Sequence, residues 1–203
     1  MISDFLQNIT KEEIEKLPLG HFDGEMILVD TLPKLKKAVL FLKKQTEIGF
    51  DTETKPAFVK GQKNHVALLQ LSTNKKAFLF RIHHLKSLNI LFELFANPNI
   101  IKIGADIGQD LSALQKVSPF KVNGFIDIQK YSCEFGIIDN GLKKLAAIVL
   151  GIKISKSQRL TNWEAPELTQ SQMLYAATDA WVCLKIYQKL VKNKILNNSE
   201  ETE

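Results

Sequence analysis

The segment FDTE, residues 50–53, sets two carboxylates, Asp51 and Glu53, two positions apart at the end of an apolar run. On a strand, side chains at i and i+2 leave the same face, so the two acids project together. Adjacent carboxylates repel unless a cation or protons neutralise them. The other reading of an isolated Asp-x-Glu is a turn before Pro56, capped by one acid while the other is solvated. A second acid in a costly place is Asp179, within LYAATDAWVCLKIY, residues 174–187. Tyr175 precedes it by four residues and shares its helical face, with Leu174, Ala177, Trp181, Leu184 and Ile186 around it. A carboxylate buried there alone is expensive, and a cation would offset the cost. A third acid, Asp110, follows Gly104 by six residues in KIGADIGQDLSALQ. It stands early in a helix, where the macrodipole by itself favours a negative charge.

The elements that must position these acids read from periodicity. Thr10-Lys11-Glu12-Glu13 has the capping-box pattern of a short helix, with Ile14 and Leu17 on its apolar side. MILVD, 26–30, reads as a strand, and 32–45 as a helix with Leu35, Val39, Leu40 and Leu42 on one face. IGFDTE, HVALLQLS and KAFLFRI then form three consecutive strands of an antiparallel meander. Helices and strands alternate afterwards: helix in LNILFELFAN, strand in IIKIGA, helix in IGQDLSALQKV, strand in GFIDIQ, then helices near 141–150 and 170–193. That order predicts an α/β domain with a mixed sheet, the meander strands antiparallel and the later strands parallel through helical crossovers, flanked by helices. Residues 1–24 read as an N-terminal helical extension, 25–195 as one domain, and 196–203 as a disordered acidic tail.

Composition restricts the class. The chain has 203 residues, 45% of them hydrophobic and 24% charged, the balance of a globular domain with one sizeable core. Its apolar runs are broken well before the roughly 18 residues that span a membrane, and its first residues lack the layout of a signal peptide. Cys133 and Cys183 lack ligand spacing and read as free thiols in a reducing compartment. The expected location is therefore intracellular, cytoplasmic, or nuclear in a eukaryotic cell. A net charge of +5 is compatible with a polyanionic partner and equally with simple solubility.

Asp51-x-Glu53, Asp110, and Tyr175-x-x-x-Asp179 resemble, in order and approximate spacing, the three motifs of the DEDD family of 3′-5′ exonucleases in its tyrosine-containing subclass. Within that family the chain most resembles the Werner syndrome exonuclease domain, and more distantly ribonuclease D and the proofreading domain of DNA polymerase I. VALLQLS, GLKKLAAIVLG and SQRLTNWEAPELTQSQMLYAATDAWVCLKIYQKL extend the resemblance over roughly residues 25–193. It implies a ribonuclease H-like fold and hydrolysis of DNA or RNA from the 3′ end, releasing nucleoside monophosphates. The alternative is a catalytically weak nucleic-acid-binding domain of the same fold. By the resemblance, Asp51, Glu53 and Asp179 ligate one divalent metal, Asp51 bridges to a second, and Asp110 reaches that second ion directly or through water. Two ions so placed stabilise the entering and leaving oxygens of a phosphodiester. Four acids without Cys or His suit Mg²⁺ or Mn²⁺. Tyr175 would orient the attacking water, since a phenol with pKa near 10 is a poor base at neutral pH.

Asp106 stands where proofreading relatives often carry Asn, and it reads either as a surface-loop residue or as an acid able to compete with Asp110 as a ligand. Histidine-containing relatives place a base five residues before the last Asp. Here that position is Leu174, so the tyrosine subclass fits better. His21, His65, His83 and His84 have no ligand spacing. Trp163 and Phe58 can stack on bases or pack in the core. Lys55, Lys60, Lys63, Lys156 and Arg159 flank the motifs and can meet phosphates or solvent.

Overall fold

The computed structural model describes residues 5–56 and 64–200. Phe58, Lys60 and Lys63 lie outside the described residues. Six strands form one sheet: β1 (Glu25–Val29), β2 (Glu47–Thr54), β3 (Val66–Ser72), β4 (Lys76–Arg81), β5 (Ile101–Gly104) and β6 (Phe125–Asp127), in spatial order β1-β4-β3-β2-β5-β6. β2, β3 and β4 are the antiparallel meander, and β5 and β6 add in parallel beyond β2. β1 closes the other edge, parallel to β4. Every residue of central β3 is buried, so VALLQLS reads as continuously apolar rather than alternating.

The helices are α1 (Lys11–Lys16), α2 (Leu32–Leu42), α3 (Asn89–Ala96), α4 (Ile107–Val117), α5 (Ile128–Ser132), α6 (Leu142–Leu145, continued by a π turn over Ala146–Leu150) and α7 (Gln170–Glu200). α2, α3 and α4 pack on one face of the sheet, against a core that includes Phe50, Leu69, Leu71, Phe80 and Phe95. α7 crosses the other face, where Leu68, Leu79, Ala176, Ala177 and Trp163 are packed together. The pleat divides β2 accordingly: Ile48 and Phe50 go to the α2 and α3 side, while Gly49, Asp51 and Glu53 point toward α7.

Some local expectations change. The buried stripe of α2 is Leu35, Ala38, Val39 and Leu42, and Leu40 is 65% exposed. Five residues beyond Leu35, Leu40 falls about 140° around the helix, off the stripe. β6 stops at Asp127 because that carboxylate accepts from the Gln129 backbone N–H at 3.0 Å and starts a helix there. The acidic composition after residue 195 suggests fraying, yet α7 continues to Glu200.

The N-terminal segment is tied to the domain. Thr10 and Glu13 make the capping box of α1, and Ile9 and Ile14 pack with Ala147. Gly20 N–H donates to the Lys153 carbonyl at 2.9 Å, and Phe22 N–H donates to Thr178 Oγ1 on α7 at 3.1 Å. Phe22 itself is buried, edge-on to Trp181.

Candidate active site

β2 runs past the end of its parallel neighbour. β5 pairs with it only over Glu47, Ile48 and Gly49, and then turns away through Gly104 into α4. The carboxyl ends of β2 and β5 thus part, and α/β sheets bind ligands beyond such strand ends. Asp51 and Glu53 stand at this end of β2, on the α7 face.

α7 supplies the third acid. Asp51, Glu53 and Asp179 each offer a carboxylate oxygen within 4.8 Å of the other two, close enough to share one cation. Gly49 lets the helix approach: a Cβ there would overlap the Ala180 carbonyl. Asp179 is only 8% exposed and Glu53 only 9%. The cost of that packing is written in their protonation. Burial, with the charges of Asp179, Glu53 and Asp110, pushes the Asp51 carboxyl well above its ordinary value. Burial, with the charges of Asp179 and Asp110, raises Glu53 to about 8 against the charge of Arg159, which lowers it. Asp179 is raised by burial to about 7, against a hydrogen bond from Tyr175 and the charge of Lys156, which lower it. Three oxygen ligands that repel one another, with no ion-paired Lys or Arg among the described residues, form a donor set suited to a hard divalent ion.

Tyr175 lies one turn before Asp179, and its hydroxyl donates to that carboxylate. Burial and the surrounding acids push the phenol far above its ordinary value, so it is held as a donor and cannot serve as a base near neutral pH. Its ring packs at 6.0 Å from that of Trp163, which is fully buried; of the two readings of Trp163, core packing is the one found. Tyr175 also lines a cavity of about 190 Å³ between α7 and the N-terminal segment, with Leu19, His21, Ser155 and Ser171 on its walls.

Asp110 arrives from the opposite face of the sheet and lies outside the three-carboxylate group. The Thr52 hydroxyl donates to its Oδ1. Burial raises it to about 6, the Thr52 bond lowers it, and Asp106 raises it. Asp106 is exposed at the N-terminus of α4, in the left-handed region at φ 52°, where Asp and Asn are tolerated better than other side chains. Its backbone N–H donates to Asp127 Oδ1 at 3.2 Å. That backbone conformation accounts for an Asn or Asp at this position without any ligand role.

Four contributors escape a reading based on acidic residues. Gly49 precedes the motif and Thr52 lies inside it, and neither carries a charge. Gln70 is paired opposite Asp51 across β2 and β3. Arg81 ends β4 with its guanidinium buried, donating to the carbonyls of Pro166, at 2.7 Å, and of Ala165. It thereby fixes the loop that carries Trp163 against Tyr175. The signal for Arg81 was its rarity, as one of only two arginines in a lysine-rich chain.

The mixed sheet and the acids gathered at the ends of β2 and β5 define a class, and the chain belongs to the 3′-5′ exonuclease domain family, which its residues 26–195 match. It is 36% identical over 155 residues to the mouse bifunctional 3′-5′ exonuclease/ATP-dependent helicase WRN, covering 70% of this chain and 11% of that protein. It is 35% identical over 150 residues to exonuclease 3′-5′ domain-containing protein 2 of Drosophila melanogaster, covering 72% of this chain and 25% of the relative. The crystal structure of the Aedes aegypti Nibbler EXO domain matches with a TM-score of 0.77 at 26% identity, over 88% of this chain and 98% of that one. The chain spans a quarter or less of the length of these two curated relatives. Among the described residues no helix is long and apolar enough to cross a membrane.

Proposed function

We propose that this chain hydrolyses phosphodiester bonds from the 3′ end of a DNA or RNA strand and releases nucleoside monophosphates, with residues 25–195 as the catalytic unit. The carrying observation is the convergence of Asp51, Glu53 and Asp179 oxygens within 4.8 Å, brought together from a strand and a helix far apart in sequence. These three acids would hold one divalent ion, Mg²⁺ or Mn²⁺, and Asp51 with Asp110 a second. Bound ions supply a nucleophilic hydroxide at neutral pH and charge stabilisation at the entering and leaving oxygens.

The chain's own residues do the rest. Tyr175, fixed by its bond to Asp179 and by Trp163, would orient the attacking water as a protonated phenol. Thr52 holds Asp110 at the rim of the site. Lys156 and Arg159, both exposed, lower the carboxyl pKa values of Asp179 and Glu53 respectively through their charge, so both lie near enough to attract a phosphate backbone. Cys133 and Cys183 are both free thiols, which suits a reducing intracellular compartment.

The test is a purified chain incubated with Mn²⁺ and matched DNA and RNA oligomers, single-stranded or 3′-recessed, carrying a 3′ label. Release of labelled mononucleotide that disappears with EDTA and in Asp51→Ala is the expected result. Strands left intact at every Mn²⁺ and protein concentration would favour the binding-domain alternative.

A further inference from the structure

Gln70 is fully buried, and neither its Oε1 nor its Nε2 has a hydrogen-bond partner among the described residues. An amide left unpaired in the interior is costly, and Met or Leu would fill similar space without that cost. Its position is specific. On β3 it stands directly opposite Asp51 of β2, and its other cross-strand neighbour is Leu79 of β4. Residues opposite each other in an antiparallel pair leave the same face, with Cβ atoms about 4.5–5.5 Å apart. Gln70 therefore projects toward α7 beside the Asp51 carboxylate. Along that face its neighbours Leu68 and Leu79 pack with Ala176 and Ala177, which offer no side-chain partner.

We propose that Gln70 is a positioning residue for Asp51, its amide Nε2 donating to one carboxylate oxygen of Asp51 when the other faces a divalent cation. The inference rests on the cation site proposed above and adds a member to it. A carboxylate that ligates through one oxygen keeps an acceptor on the other, and metal ligands are commonly held by such a donor behind them. The bond is not made in the structure, where the amide stands unpaired.

The experiment compares wild type with Gln70→Met, using the full chain. Cation-free melting temperature and Mn²⁺ binding by calorimetry are measured together, with the Mn²⁺-induced rise in Tm as a second readout of binding. Gln70→Met is expected to melt without cation at or above the wild-type temperature, because it removes an unpaired amide. Its Kd for Mn²⁺ is expected to rise about 10- to 100-fold, the usual effect of losing a group that supports a metal ligand. Ser72→Ala, which changes the other unpartnered polar side chain of β3, opposite Gly49, should bind Mn²⁺ as wild type does.

An unchanged Kd in Gln70→Met overturns the proposal. So does a cation-free Tm lowered by more than about 4 °C, or a failure to fold, since either would mean that the amide supports the cation-free fold. If wild type itself binds no Mn²⁺, the cation site and the role of Gln70 fall together. If wild type binds and Gln70→Met binds equally, only the role of Gln70 falls.

Discussion

Gly49 and Ala180 meet backbone to backbone: a Cβ on Gly49 would overlap the Ala180 carbonyl oxygen and lie 2.7 Å from its carbonyl carbon and 2.6 Å from Ser72 Oγ. Ala180 follows Asp179 directly, and Gly49 shares the α7 face of β2 with Asp51. This single approach therefore sets the distance between the two halves of the acid cluster.

Gly49→Ala should push α7 off β2 and pull Asp179 away from Asp51. Overpacking of this kind costs about 1–3 kcal/mol, and the obstacle here is backbone, which cannot rotate away. The expected outcome is a lower melting temperature, by about 2–4 °C for each kcal/mol, together with weakened Mn²⁺ binding and nuclease rate. Wild-type Mn²⁺ affinity in Gly49→Ala would show that the helix does not set the cluster.

The acids should trade stability for function. Asp51→Ala or Asp179→Asn removes one of the mutually repelling carboxyls, so the cation-free protein should melt at or above the wild-type temperature while nuclease activity is abolished. Thermal melts in EDTA beside a 3′-end release assay check both halves. A cation-free Asp179→Asn that melts well below wild type would mean that repulsion is not what the cluster stores.

The pH dependence follows from the same groups. Glu53 is raised to about 8, Asp179 to about 7 and Asp110 to about 6, chiefly by burial, whereas unfolded carboxyls titrate near about 4. Between these values the folded chain holds protons that the unfolded chain has released, so stability is greatest below about pH 4 as far as these groups decide it, and is lost as pH rises through 6 to 8. Cation binding needs the deprotonated acids, so the Mn²⁺-induced rise in Tm should grow over the same interval. A melting series from pH 5 to 8.5, with EDTA or Mn²⁺, checks both slopes, and a cation-free Tm that increases across it would contradict the assignment.

How far the site was legible depends on what each residue does. Asp51, Glu53 and Asp179 announced themselves because a charge in apolar surroundings is visible along the chain, and strand and helix periods give its direction. Asp110 was visible as an acid, but its partner was not: Thr52 lies on the opposite face of β2 from Asp51, and nothing local says that α4 passes there. Gly49 was unreadable for the same reason, since its constraint comes from Ala180 across the core. Strands β2 to β4 followed from short connections, whereas the parallel docking of β1 against β4 depends on where α2 crosses. Leu40 looked apolar and lies outside, because composition alone does not fix the centre of a helical stripe.

Tyr175→Phe should separate turnover from binding. The hydroxyl bonds Asp179 and is proposed to orient the attacking water, while the ring, which packs on Trp163, is kept by Phe. The expected change is a fall in kcat on the order of 100-fold, as for other lost donors at a reacting centre, with KM changed by less than about threefold. Single-turnover kinetics and strand binding in Ca²⁺ check the split, and a wild-type rate would remove Tyr175 from the mechanism.

Arg81 supports Tyr175 from a distance. Its guanidinium reaches the carbonyls of Ala165 and Pro166, fixing the loop whose Trp163 packs on the Tyr175 ring, and Lys55 ties the same loop to the end of β2 through Glu164 at 3.4 Å. Arg81→Met fills the space but leaves two carbonyls without their donor, at about 1–3 kcal/mol for each that stays buried. Arg81→Lys keeps the charge but not the planar fork, so it should rescue little. Both variants should melt lower than wild type and show a red shift in tryptophan emission, as Trp163 gains solvent while the other tryptophan, Trp181, remains on α7. Because the proposed metal ligands do not belong to this loop, Mn²⁺ affinity should be retained while kcat falls toward the value of Tyr175→Phe. An Arg81→Met protein with wild-type emission and wild-type kcat would show that the loop holds its place without the buried arginine.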